Sequence, residues 1–226
     1  MTATGAVLLV LAATAVWLYR HHYPYPRPRT GAGASAAARG RQLRTPLVRL
    51  AELAGIRTRA GRLAQRYAAG AAGELATAAQ LAPLRREGWT LLHDRALPRG
   101  RANVDHLAVS PRGTAVLVDT KHWSARWRVR VVGGRLLHGT RDVTARLDGT
   151  RHEAAAVTAA LGAPVVPLVV MHGAPVDGGE LQLGGIRIVP ADRAAAVIRA
   201  LDHTPAHRTS DDLAARAERL LPPYRR

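Results

Sequence analysis

The sequence predicts an α/β fold, a mixed sheet flanked by helices, preceded by one N-terminal transmembrane helix. Three observations predict it. Helical and strand periodicities alternate between Glu74 and Leu201, two tight hairpin turns fall among the strands, and Met1 to Tyr19 carries no charged side chain.

The uncharged opening comes first. It runs Val7-Leu8-Leu9-Val10-Leu11 and on to Tyr19, and at 1.5 Å per residue it is about 28 Å long, close to the hydrocarbon thickness of a bilayer. Trp17, Tyr19 and Tyr23 sit where interfacial aromatic residues would lie. A secretory signal peptide is the rival reading, but no basic residue precedes the apolar run. Residues 20–66 then carry eleven Arg against the single acid Glu52, a net of +10. The positive-inside rule therefore places the C-terminal bulk in the cytoplasm. Residues 1–22 are expected to be the anchor and 23–66 a juxtamembrane linker.

In that linker Pro24, Pro26 and Pro28 predict a stiff spacer, and the Ala- and Gly-rich stretch from Gly31 to Gly40 a flexible one. From Thr45 to Tyr67 the spacing of Leu47, Leu50, Leu53 and Leu63 suggests helix broken near Gly55 and Gly61. Its arginines suit either anionic headgroups or a solvated linker.

A folded domain is expected over 67–202, with a tail holding a short helix over 203–226. Glu74 to Arg85 reads as a helix stopped by Gly88, and Leu91 to Asp94 as a short strand. Val104 to Ser110 and Thr114 to Lys121 form a hairpin across Pro111-Arg112-Gly113; Trp127 to Val132 and Arg135 to His138 form another across Gly133-Gly134. Glu153 to Leu161 is a helix, Val165 to Met171 a buried strand, Gly173 to Gly185 a hairpin or surface loop, Ile186 to Val189 a strand, and Asp192 to Leu201 a helix.

Composition narrows the chemistry. The chain has no Cys, which excludes disulfides and thiolate metal sites, and its net charge of +17 suggests a polyanionic partner. Of 33 basic residues only Lys121 is a lysine. Arg cannot stand in where a compact ammonium must approach a water or a phosphoryl oxygen. The first hairpin shows what surrounds it. Pro and Gly at their places in the turn fit a three-residue loop, which pairs Ser110 with Thr114 and hence Asp105 with Asp119. Residues directly opposite share a face, and period two adds Lys121 to it. Two carboxylates in apolar strands repel unless compensated; Lys121 offsets one, and a hard divalent cation such as Mg²⁺ would offset more. Glu74 lies in line with Ala78 and Leu81 inside the apolar stripe of its helix. An exposed Glu74 at a helix start and an ordinary Asp119–Lys121 surface pair are the plainer alternatives.

Gly73-Glu74, then Val104-Asp105-His106-Leu107, then Asp119-Thr120-Lys121-His122-Trp123, in that order, resemble the nuclease-related domain, NERD. The resemblance covers about residues 67–201 and implies a restriction-endonuclease-like fold of the PD-(D/E)xK group. It implies Mg²⁺ or Mn²⁺ held by Asp105, Asp119 and the backbone carbonyl of Thr120, with Glu74 supporting the metal or its water. Lys121 would position the attacking water or stabilise the transition state. The implied function is a membrane-anchored nuclease acting on nucleic acid, DNA first; the alternative is a non-catalytic binding or interaction module with the same fold. The family often has a Gln in the helix after the hairpins, where this chain has Arg151-His152-Glu153, so neither His152 nor Glu153 receives a role.

The remaining features are weaker. The ten His show no metal spacing, and strand alternation turns His106 away from Asp105 and His122 away from Lys121. Arg126, Arg128 and Arg130 alternate with Trp127, Val129 and Val131, a basic stripe over a core face that suits either phosphates or solvent.

Overall fold

The computed structural model describes residues 30–100, 102–202 and 210–224. The anchor expected over residues 1–22 and the Pro-rich spacer lie outside them. Among the described residues no helix is long and apolar enough to cross a membrane.

The chain opens with α1 (Ala34–Leu43), α2 (Pro46–Leu53) and the long α3 (Arg59–Leu81). A short 3-10 helix, Ala82–Glu87, follows and ends at Gly88, whose positive φ of 86° closes the turn. Strands β1 (Thr90–Ala96), β2 (Asn103–Val109) and β3 (Ala115–Trp123) form an antiparallel meander. Next come the short strands β4 (Val129–Val132), β5 (Arg135–His138) and β6 (Arg141–Asp142), then α4 (Asp148–Leu161) and β7 (Val165–Gly173). Strands β8 (Leu181–Leu183) and β9 (Ile186–Pro190), helix α5 (Ala194–Leu201) and helix α6 (Ser210–Leu220) complete the described chain.

The main sheet has six strands in the order β1-β2-β3-β7-β9-β8. β3, β7 and β9 are parallel neighbours, while the flanking pairs are antiparallel, so the sheet is mixed as expected. Helix α4 makes the crossover from β3 to β7, the connection that parallel neighbours require. One face of the sheet packs Val116, Val118, Leu168 and Val170 against Leu81, Leu84, Val197 and Ile198 from the α3 and α5 side. The other packs Leu107, Val109, Leu117 and Ala115 against Val157 and Leu161 of α4 and Leu213 and Ala217 of α6. Strands β4, β5 and β6 form a separate three-stranded sheet whose Val129 and Leu136 close over Val169, Met171 and Ile188.

Two expectations are corrected. Gly31 to Gly40 is not slack chain: α1 occupies residues 34–43 and lies along α3. The composition misleads because this contact uses the absence of side chains. A Cβ on Gly33 would stand 2.6 Å from the Ala71 carbonyl oxygen, and one on Gly40 3.3 Å from that of Ala64, so the backbones meet where larger residues would hold them apart. In the second hairpin Val129 is buried as expected, but Trp127 is 48% exposed and stacks beneath the Arg126 guanidinium at 5.2 Å, so it is not part of the core face. Gly173 to Gly185 resolves as expected into a loop and a hairpin, with β8 antiparallel to β9.

Candidate active site

The three-residue turn sets the register of β2 and β3. The Gly113 N–H donates to the Ser110 carbonyl at 3.0 Å, and the Ser110 N–H to that of Thr114 at 2.9 Å. Val109 faces Ala115 and His106 faces Val118, which puts Asp105 opposite Asp119. There the ladder stops. β3 continues to Trp123, paired only with β7, while the Thr120 N–H turns to the Asp105 side chain, donating to Oδ2 at 3.0 Å. A strand residue aims its N–H and C=O at the same neighbour, so the Thr120 carbonyl also faces the opening. Asp105 thus wedges the two strands apart where the candidate ligands gather.

Asp119 is buried and engaged by two partners, with acceptor capacity left over. Lys121 Nζ lies 2.7 Å from its carboxylate, and Thr150 Oγ1 of α4 donates a short hydrogen bond to Oδ2. The face shared by Asp105, Asp119 and Lys121 is the one that α4 covers. Glu153, one turn after Thr150, brings a further acid close enough to feel Asp119, Asp105 and Lys121.

Acidic charge exceeds basic charge here, and it adds to what burial does to each group. Burial pushes Glu153 up to about 8, with the Asp119 and Asp105 charges adding to the rise. Burial raises Asp105 well above the usual carboxylate range, helped by the Glu74 and Asp119 charges. Burial alone would lower Lys121, but the Asp119 charge and hydrogen bond, with Asp105 and Glu153, carry it above the ordinary lysine value. The amine is therefore a fixed cation rather than a base at neutral pH.

Residues 69–172 match the family model described as the nuclease-related domain. This segment is similar to NERD. No curated protein and no solved structure gives a significant match. The match covers Glu74, the β1–β3 meander, all of α4 and nearly all of β7, so the resemblance carried by Gly73-Glu74, Val104-to-Leu107 and Asp119-to-Trp123 is borne out.

In the matched segment Glu74 is buried in the α3 stripe, as its spacing predicts. Burial and the nearby Asp94 charge lift it to about 7. Its Oε2 accepts the Gly33 N–H at 3.0 Å, at the N-terminus of α1. Asp94 does the same two residues on: Oδ2 accepts the Ser35 N–H at 2.6 Å, and Oδ1 accepts from Asn103 Nδ2 at 2.8 Å. Asp94 sits between the pairs His93–His106 and Arg95–Val104, hence across from Asp105, with a positive φ of 49°. One register line therefore crosses Asp94, Asp105 and Asp119. Asp94 and Thr150 are the residues that sequence reasoning missed.

The opposite side of the sheet is also polar at this level. His93 and His106 share one proton between Nδ1 atoms 2.8 Å apart, and burial lowers them to about 4 and about 3. His106 Nε2 approaches Thr120 Oγ1 at 3.3 Å; that hydroxyl donates to Thr77 Oγ1, which meets His172 Nε2 at 2.8 Å. His106 does face away from Asp105. The chain of hydrogen bonds fixes Thr120 from behind while Asp105 holds its N–H from the front.

Among the described residues no three His, Asp or Glu converge tightly enough to cage an ion. The donors that do converge are two carboxylates and a backbone carbonyl, all hard oxygen atoms beside an excess of buried negative charge. Mg²⁺ is held in this way, through one or two carboxylates with waters and substrate phosphates completing the shell. The residues fit such a cation. Glu153 occupies the region of the family's Gln; protonated at neutral pH, it offers an O–H donor and a carbonyl acceptor, much as an amide would.

The raised acids make stability pH-dependent. Glu74 and Glu153 bind protons more tightly folded than unfolded, so their contribution is complete below about pH 4.5 and is lost as pH rises through 7 and 8. The lowered His93 and His106 act oppositely, but only up to their unfolded value near 6.5. From pH 6.5 to 8.5 only the acids count. Metal-free protein should lose about 3 °C or more in Tm over that range, and 5 mM Mg²⁺ should restore it, on the order of a kcal/mol. Calorimetry giving a flat Tm there would mean that the acids are already compensated without a metal.

Proposed function

We propose that the chain is a membrane-anchored, cytoplasm-facing, divalent-metal-dependent nuclease that hydrolyses phosphodiester bonds in DNA. The observation that carries this reading is the convergence of Asp105, Asp119 and the sole lysine where β2 parts from β3. Asp105, Asp119 and the Thr120 carbonyl would hold Mg²⁺ or Mn²⁺. Such an ion lowers the pKa of a bound water and neutralises charge building on phosphate oxygens. Lys121, held as a cation by Asp119, aims an N–H donor at the same space, where it orients the attacking water or binds a non-bridging oxygen as charge accumulates. Thr150 fixes the rotamer of Asp119, so the acid that orients the lysine is itself oriented. Glu74 lies deeper and acts on Asp105 through its charge, its carboxylate being bound to the Gly33 N–H.

The test is cleavage of single- and double-stranded DNA and RNA with Mg²⁺ or Mn²⁺, beside Lys121→Ala. DNA cleavage that chelation and Lys121→Ala both abolish supports the reading. Cleavage that survives Lys121→Ala removes it. The engagement of Glu74 by α1 favours one second reading, a domain that binds nucleic acid without cutting it; metal-independent binding with no product in any arm would select that one.

Location follows from the sequence alone. An uncharged stretch of bilayer length followed by an Arg-rich segment supports an outside N-terminus and a cytoplasmic domain. Protease added to intact cells should leave that domain whole, and should digest it once the membrane is permeabilised. Digestion in intact cells would reverse the orientation and remove intracellular DNA as substrate.

A further inference from the structure

Helix α2 is turned inside out. At 100° per residue Leu47, Leu50 and Leu53 fall within a 120° arc, and they are 82%, 68% and 86% exposed. The side facing the body holds Val48, Ala51 and Glu52, each half-buried, and α2 has no fully buried residue. Ile56, just past its end, is 60% exposed. Four large aliphatic side chains in ten residues thus project from the surface.

The helix does not depend on burying them. The Thr45 side chain accepts the Val48 N–H, Pro46 occupies the first turn, and Gly55 closes the end with a φ of 74° while the Ile56 N–H returns to the Ala51 carbonyl at 2.8 Å. Capping fixes the helix and leaves its apolar arc available. The charges around the arc have one sign. Arg49 borders it, Arg41 and Arg44 precede it, and Arg57, Arg59 and Arg62 follow, whereas the one acid, Glu52, points inward against Gly61.

We propose that α2 lies on an anionic bilayer, with Leu47, Leu50 and Leu53 in the acyl boundary and the surrounding arginines among the headgroups. An apolar arc bordered by basic side chains is what an interfacial helix presents. A second copy suits the surface less well. Six arginines would face six more, and an eight-residue helix about 12 Å long offers far less area than a stable protein interface of ~1,200 Å² or more needs. The inference deepens the membrane part of the proposed function and rests on that reading for the protein's place at a bilayer. Its test reads α2 directly, so its failure leaves the anchor and the cleavage activity standing.

Since the chain has no cysteine, one nitroxide can be placed at will. Full-length Leu50→Cys and Leu47→Cys, and Val132→Cys on the small sheet as a solvent reference, are labelled and reconstituted into phosphatidylcholine–phosphatidylglycerol vesicles. The α2 labels should be about tenfold less accessible than the Val132 label to a water-soluble nickel chelate, yet readily relaxed by oxygen, as befits an acyl environment. In phosphatidylcholine alone the protection should weaken. Nickel accessibility equal to that at Val132 would overturn the proposal, because the leucines would then face water. Shielding from both nickel and oxygen would also overturn it, since protein would then cover them: this chain's own N-terminal segment or, if spin–spin broadening appears, a second copy.

Discussion

Lys121→Arg should lose about 100- to 1,000-fold in cleavage rate although the charge is kept, the range found when one donor to a developing anion is removed. The ammonium sits 2.7 Å from Asp119, with its side chain only 24% exposed. A guanidinium is planar and longer, and it would pair with Asp119 through both arms, turning its donors away from the space in front of Asp105 and Thr120. The fold should tolerate the change, because Asp119 keeps a cationic partner as well as Thr150; the Tm should stay within a few degrees of wild type. Lys121→Ala is the harsher variant, since it leaves Asp119 buried without its counter-charge. Steady-state cleavage and calorimetry on the same samples separate the two effects. Wild-type rates in Lys121→Arg would mean that any cation serves, and the significance of the lone lysine would vanish.

The second large effect lies beyond the acids, at the end of the neighbouring strand β7. Gly173→Ala should destabilise the protein by about 2–4 kcal/mol and lower Tm by roughly 5–15 °C. Gly173 has a φ of 80°, and a Cβ there would stand 2.2 Å from the Trp123 carbonyl oxygen, backbone that cannot swing aside. The two residues are the last pair of the β3–β7 ladder. Forcing them apart strains a backbone segment that begins two residues after Lys121, so cleavage should fall further than the unfolded fraction explains. Urea denaturation with an unchanged midpoint would show that the end of the ladder relaxes freely.

Much of the site was legible because short-range geometry fixes it. Pro111-Arg112-Gly113 admits one loop length, the loop fixes the register, and the register brings Asp105 to Asp119; Lys121 then follows from the pleat. Glu74 was readable from helical periodicity for the same reason. Asp94 was not. Its pairing with β2 runs through the connection from Leu97 to Ala102, where a three-residue loop on Pro98-Arg99-Gly100 would set Asp94 opposite Val104; the observed register is one residue longer, and the positive φ of Asp94 departs from any strand pattern. Thr150 was hidden differently. A threonine near a helix start is by default a cap, and only the packing of α4 on β3 shows that it serves Asp119 instead. The Ala- and Gly-rich α1 was misread as a linker because hydropathy weighs side chains, whereas α1 is held by backbone contact and by two distant carboxylates.

That last attachment means the unit of homology and the unit of folding have different edges. The family match starts at residue 69, inside α3, yet Glu74 and Asp94 find their N–H donors at Gly33 and Ser35. A fragment trimmed to the match would strip both buried carboxylates of these donors, leaving Asp94 only Asn103, and its failure to fold or to cut would say nothing about the intact chain. Mechanically the same link removes the slack: a pull on the polypeptide ahead of Gly33 arrives at Glu74 and Asp94, beside the acids of the site, instead of being absorbed by a loose tether.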